Sequence, residues 1–319
     1  MTFLRFIPET TNVDFVKYRF LAFAIDCLLL VASIASIMWQ GFNFGIDFTG
    51  GVLMEVKATH TIDIGQMRGT VGKLNFGEAQ LQYFGGGECN RPANSCVLIR
   101  IQPRTVKEGG DQNAADQAVV QSIKRVLAND QSVRRTDVVG PKVSHELFHD
   151  GVVATVLAVI MISLYVAVRF EWQYGIGALI ATGHDVFVTA GFFSLTQIDF
   201  TINTVAALLL LAGYSINDTV VVFDRIRENR RKYKRMTLRD LINLSTNQIA
   251  TRTTLVSAAT ALSVIPLLFG GPVLMNFSVA ILFGIVVGTF SSTYVAAALL
   301  LYLPPVGRRS EETADAVGR

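Results

Sequence analysis

Apolar residues along this chain fall into six long runs, and only one of the intervals between them is long enough to fold separately. A bilayer core takes about 20 apolar residues per helix. The runs Phe20–Gln40, Phe148–Val168, Tyr174–Ser194, Phe200–Phe223, Ala250–Phe269 and Asn276–Leu303 each meet that requirement. Between the first and second, over 41–147, the pattern changes. Gly51–Lys57 alternates as a strand does, Ile62–Leu74 suits a helix, and Gln80–Phe84 and Cys96–Ile101 are two further short strands. Ala114–Leu127 sets Ala118, Val119, Ile123, Val126 and Leu127 on one helical face, and Val133–Val139 returns as a strand. The predicted order, β-α-β-β-α-β, is that of a ferredoxin-like α+β domain. The expected fold is a polytopic α-helical membrane protein with six spans and one small domain between the first two.

Composition agrees. Of 319 residues, 51% are hydrophobic and 17% charged, with a mean hydropathy of +0.42. A typical soluble chain carries about 25% charged residues. The net charge of +3 matters less than its placement. The short links on one side carry Arg169, then Arg225, Arg227, Arg230, Arg231, Lys232, Lys234, Arg235 and Arg239, whereas 195–199 and 270–275 carry no Lys or Arg. The positive-inside rule puts the first set in the cytoplasm, with the N-terminus (1–19), the basic link (224–249) and the tail (304–319). The 41–147 domain is then outside. Arg5, Lys17 and Arg19 precede the first run as in a signal peptide, but its length reads as a retained anchor. Leu238, Leu241 and Ile242 give the end of the basic link an apolar face that can start a helix.

Three features bear on chemistry. Cys89 and Cys96, between two predicted strands outside the membrane, could close a hairpin disulfide or stay as free thiols. His145-Glu146-Leu147-Phe148-His149 has the H-E-x-x-H spacing that holds zinc on a helix, but no later segment offers a third ligand, so no metal is expected. The third feature is ionisable residues inside the apolar runs, which cost about 2.5–3.5 kcal/mol each and seldom occur without use. His184 and Asp185 stand about 16 Å into the third run, and Asp218, with Asn217 beside it, about 9 Å inside Asp224. Arg252 opens the fifth run at an expected similar depth. Asp218 and Arg252 read as an ion pair able to relay protons, with Asp185, His184 and Asn217 as further candidates. Asp26 reads as snorkelling to the cytoplasmic rim. No phosphate-binding loop appears.

Several strings together resemble one family. They are Asn43-Phe44-Gly45-Ile46-Asp47-Phe48-Thr49-Gly50-Gly51, Val139-Gly140-Pro141-Lys142-Val143, His184-Asp185-Val186, and the run from Gly213 to Asn229 containing Tyr214-Ser215-Ile216-Asn217-Asp218-Thr219. Thr251-Arg252-Thr253 and Gly284 to Ser292 extend the match. All are similar to the SecF branch of the bacterial SecD/SecF protein-export membrane proteins. The resemblance implies half of a resistance–nodulation–division fold, an inner-membrane location, and SecD and the SecYEG channel as partners. It also implies proton-motive-force-dependent completion of preprotein export on the outer face, with no cofactor and no enzymatic activity. It carries the family's relay aspartate and arginine onto Asp218 and Arg252. Ser144 stands where the family has a glycine, which bears on how sharp a turn precedes the second span. Two other readings are a proton-coupled small-molecule transporter of the same superfamily and a membrane zinc protease through His145, Glu146 and His149.

Overall fold

The computed structural model describes residues 12–74, 76–84, 89, 92–103, 112–127, 131–270 and 272–304. Six of its helices are long and apolar enough to cross a membrane. The chain is a multi-pass membrane protein. The first span is α1 (Arg19–Gln40), followed by a short helix α2 (Ile46–Thr49). The domain between the first two spans, expected on the outer side, comprises β1 (Gly51–Ala58), α3 (Ile64–Gly72), β2 (Gly77–Tyr83), β3 (Cys96–Pro103), α4 (Gln112–Val126) and β4 (Gln131–Val139). The remaining spans belong to α5 (Pro141–Arg169), α6 (Trp172–Thr196), α7 (Ile202–Lys232), α8 (Leu238–Val264, extended by a 3₁₀ turn to Phe269) and α9 (Pro272–Phe290). Beyond α9 the helix widens into a π-helical segment, Ser291–Ala296.

The four strands form one antiparallel sheet in the order β2-β3-β1-β4. Met67 and Val71 of α3 and Val119, Val120 and Ile123 of α4 close its core against Val52, Met54, Val56, Val97 and Ile99. The buried face of α4 differs from the predicted one. Val126 is exposed and Ala118 faces outward, while Asp116, Val119, Val120 and Ile123 point inward. Cys89 and Cys96 are joined by a disulfide, with Cα atoms 5.3 Å apart. Val97 and Tyr83 are register partners of β3 and β2, so the bond closes the loop beside that pairing.

Several helices run past the predicted spans, because a helix does not stop where the hydrocarbon does. α5 starts at Pro141, with Gly140 at its N-cap and proline in its first turn, where a missing N–H costs nothing. Ser144 is therefore inside a helix rather than at a turn. Its hydroxyl donates to the Pro141 carbonyl (2.9 Å). α7 continues to Lys232, and Thr237 caps α8 by accepting from Asp240 N–H (3.2 Å). The basic link thus consists of two helix ends with a short turn between them. Leu241 and Ile242 of α8 are buried in a core at that end of the bundle with Val222, Phe223 and Ile226 of α7.

Helices α6, α7 and α9 are the most buried spans, and α1, α5 and α8 flank them. Small residues bring the spans close, as expected where dispersion rather than hydrophobicity drives association. Any Cβ on Gly191 of α6 would overlap Ser33 of α1, and one on Gly284 of α9 would overlap Leu211 of α7.

Candidate functional site

The end of the bundle next to the α+β domain is tied together by the 43–51 string. Gly45 N–H donates to the Phe200 carbonyl and Phe200 N–H to the Asn43 carbonyl, both at 2.8 Å, joining the end of α1 to the α6–α7 link. Asp47 then accepts from the first free N–H of α7, at Ile202 (2.9 Å), where the positive end of the helix dipole favours a carboxylate. Asp199 in that link accepts from Asn43 (2.8 Å) and from Arg100 of β3 (2.5 Å), the latter a buried ion pair that seats the outer sheet on the bundle. Gly50 and Gly51 have φ of +73° and +122°, a region that L side chains seldom enter. A Cβ on Gly51 would overlap the Ile101 carbonyl oxygen.

Within the membrane the structure groups the predicted relay residues differently from the sequence reading. Asp218 is 4% exposed on α7, and a neutral hydroxyl contacts it: Ser257 Oγ of α8 donates to Asp218 Oδ2 across a long 3.5 Å. Ser257 also receives the Tyr214 hydroxyl (3.0 Å) and meets Thr289 Oγ1 of α9 (2.8 Å). Asp218 thus opens onto a hydroxyl cluster shared by α7, α8 and α9.

Arg252 stands apart from Asp218 in this arrangement. Among the described residues no ion pair joins the two, and Arg252 is exposed. It lines a cavity of about 640 Å³ at the ends of α5, α7 and α8 that carry the basic link, together with Arg169, Asp224, Glu228 and Gln248. The reason is axial. Arg252 precedes Ser257, the residue level with Asp218, by five positions, or about 7.5 Å along the helix. Counting depth from Asp240 hid this offset, because α8 is already helical at Leu238. Asn217 is exposed on α7 and faces away from the cluster.

His184 and Asp185 form a second centre with a member that the sequence reading assigned elsewhere. His184 Nδ1 lies 3.1 Å from Asp185 Oδ1, and Ser215 Oγ of α7 donates to Asp185 Oδ2 (2.6 Å). Asp26 of α1 does not snorkel. It is 6% exposed, with Oδ2 4.0 Å from His184 Nε2 and neither carboxylate oxygen hydrogen-bonded. The spacing signal that could have found it is an aspartate one turn beyond the aromatic rim of an otherwise apolar span. Ser215 and Asp218 are three residues apart, so the two centres are neighbours on one face of α7.

His145 and His149 lie in the first turns of α5. The His149 ring pairs with Asp150 (3.1 Å) at an exposed position. Among the described residues no three His, Cys, Asp or Glu side chains are gathered as a metal site.

Sequence comparison gives this arrangement its context. Residues 119–305 match the family described as protein export membrane protein SecD/SecF, C-terminal, and residues 38–62 match the SecD/SecF GG motif. The chain belongs to the SecD/SecF family. It is 40% identical to the protein translocase subunit SecF of Rhodobacter capsulatus over 305 residues, covering 94% of this chain and 91% of that one. It is 38% identical to the SecF subunit of Rickettsia felis over 308 residues, covering 93% and 94%. Among solved structures it is similar to SecDF, a translocon-associated membrane protein from Thermus thermophilus, with a TM-score of 0.79 and 32% identity. The match takes in 93% of this chain but only 39% of that one. A second form of SecDF, the super-membrane-facing form, matches with a TM-score of 0.65, again at 32% identity, over 97% and 40%. In SecD/SecF terms, Asp47, Gly50 and Gly51 are the GG-motif residues that cap α7 and turn the chain into the outer sheet.

Proposed function

We propose that this chain is the SecF-type subunit of the Sec export machinery, working beside a SecD partner and the SecYEG channel in the bacterial inner membrane. In this reading it uses the proton motive force to complete preprotein translocation on the outer side. The observation that carries the proposal is Asp218, a carboxylate buried at mid-helix in a membrane span whose side-chain partner, among the described residues, is the neutral Ser257 hydroxyl. Such a group can exist neutral in the hydrocarbon only by binding a proton, and it needs a cation once that proton leaves. The arginine that can answer is Arg252, one and a half turns nearer the cytoplasm on the adjoining helix. Its pairing with Asp218 belongs to a second state in which α7 and α8 have shifted, so each proton passed converts one arrangement into the other.

The outer domain transmits the change. β1 and β4 connect directly to α2 and α5, and Arg100–Asp199 couples β3 to the α6–α7 link, so helix movement tilts the sheet. Termini and basic helix ends sit in the cytoplasm in this reading, with Arg225 to Arg239 against anionic headgroups, each worth about 1 kcal/mol. The test is recovery of a second six-span protein on purifying the chain from its native membrane, combined with export into vesicles under an imposed potential. A chain that purifies alone and leaves late export unchanged when depleted contradicts the proposal.

A further inference from the structure

The proton-carrying reading above uses Asp218, which leaves a larger ionisable cluster without a role. Asp26 of α1 and His184 and Asp185 of α6 converge on one buried point, with Asp185 tied to α7 through Ser215. Gly288 of α9 completes the wall, since a Cβ there would come within 3.4 Å of Asp185 Oδ2. Both Asp26 oxygens lack a hydrogen-bond partner although the residue is 6% exposed. Two carboxylates and one imidazole inside a bilayer are not a packing device, because a single neutral pair would register two helices at lower cost.

A second observation concerns the route to this point. Thr182, Thr219 and Ser291 are fully buried hydroxyls with no hydrogen-bond partner. Each lies one helical turn from the residue that meets at the cluster: Thr182 from Asp185 on α6, Thr219 from Ser215 on α7, Ser291 from Gly288 on α9. Helix α6 runs opposite to α7 and α9, so all three displacements point the same way, toward the end bearing Arg169, Asp224 and Tyr302. Residues one turn apart share a helix face, so the faces that enclose Asp185 carry hydroxyls just below it. Ser291 also opens the π-helical segment, a form of helix that concentrates at functional sites. Buried hydroxyls without protein partners are what ordered water occupies.

We propose that Asp26, His184 and Asp185 form a second protonatable site, separate from Asp218, in proton exchange with the cytoplasmic side through waters held by Thr182, Thr219 and Ser291. The groups facing it are Asp26 from α1, His184 and Asp185 from α6, Ser215 and then Asp218 from α7, and Gly288 and Ser291 from the last span. The nearest rim charge is Arg19, two turns from Asp26 and hydrogen-bonded to Tyr302 (3.2 Å). The cluster takes a proton, shared between carboxylate and imidazole, and Ser215, hydrogen-bonded to Asp185 and one turn from Asp218, links the two sites. The inference rests on the proton-carrying reading only for that link.

The test reads proton binding directly and is independent of export. Full-length protein in lipid bilayers is titrated by infrared difference spectroscopy, following the buried carboxylic-acid stretch in an Asp218→Asn background. The expected result is a titrating band that persists without Asp218 and loses about half its intensity on Asp26→Asn, as for two carboxyls titrating as a unit. His184→Gln reads the same band should Asp26→Asn fail to assemble, and is expected to shift its titration. Thr219→Val with Ser291→Ala removes two water contacts and should slow deuterium exchange of the band about tenfold, the value of one hydrogen bond. No buried titrating band in Asp218→Asn, or a band indifferent to both Asp26→Asn and His184→Gln, overturns the site. An exchange rate unchanged by the hydroxyl variants overturns the cytoplasmic route, and a band cleared by sodium at constant pH overturns the proton as ligand.

Discussion

Asp218→Asn is the decisive perturbation of the proposed function, because the structure removes the usual confusion between a relay and a structural ion pair. The variant keeps the shape of the side chain and its ability to accept from Ser257, but it cannot ionise. In the proposed orientation Asp224 marks the cytoplasmic rim of α7, so the carboxylate sits about 9 Å inside, roughly a third of the way across a core about 30 Å thick. A proton crossing 100 mV releases about 2.3 kcal/mol. The step between cytoplasm and Asp218 therefore carries about 0.7 kcal/mol and the outer step about 1.6 kcal/mol. Together they shift a two-state equilibrium about fiftyfold, all of which the neutral side chain forfeits. The assay is export into vesicles with and without an uncoupler at matched protein levels. Wild type should lose most of its rate on uncoupling, whereas Asp218→Asn should already run at the uncoupled rate and respond no further. Abundance should hold, since the Ser257 bond is long and Arg252 does not depend on Asp218 for a counter-charge. Uncoupler-sensitive export in the variant would refute the reasoning, and a fall in abundance would mean that the carboxylate is structural after all.

Three further outcomes follow from local geometry. Asp199→Ala leaves Arg100 buried without its carboxylate, and breaking such a pair costs about 3 kcal/mol or more; amide exchange in β3 and the 43–51 string should accelerate, and unchanged exchange would show that the sheet is seated by other contacts. Gly51→Ala forces a side chain into φ of +122° against the Ile101 carbonyl and should cost about 1–3 kcal/mol, read as faster proteolysis of the outer domain, whereas Gly140→Ala, at φ of −72° with open space around it, should be far milder. The N-terminal segment docks on α8 through Asp14, whose carboxyl Asn243 chiefly holds below its ordinary value of 3.8, with Lys17 N–H and Arg239 assisting. A lowered folded value stabilises above the unfolded one and is lost as pH falls through it, so protection of Lys17 N–H, which donates to Asp14, should decay only below about pH 4, and Asn243→Ala should weaken that dependence.

What could be read from the sequence was whatever repeats along a single helix or strand. Six apolar runs and the α+β order between the first two follow from local composition, because the bilayer demands satisfied backbone and the pleat demands alternation. The long strings around Gly45–Gly51 and Gly213–Asn229 pointed to the family. Depth pairing could not be read. Arg252 was placed level with Asp218 by counting from the nearest charge, yet α8 starts at Leu238, and Ser257 rather than Arg252 meets the carboxylate. Asp26 went to the rim because a lone aspartate on an apolar span has a rim within reach. Only the packing of α1 on α6, set by Ser33 against Gly191, turns it toward His184. Val119 and Ile123 of α4, with Leu127 just after it, face the sheet as expected, while Asp116 and Val120 turn inward in place of Ala118 and Val126 for the same reason: which residue points inward depends on the sheet it meets. A one-dimensional pattern states which residues must leave water, whereas the partner that each buried polar group finds is fixed by helix rotation and axial offset, and these exist only once the helices have packed.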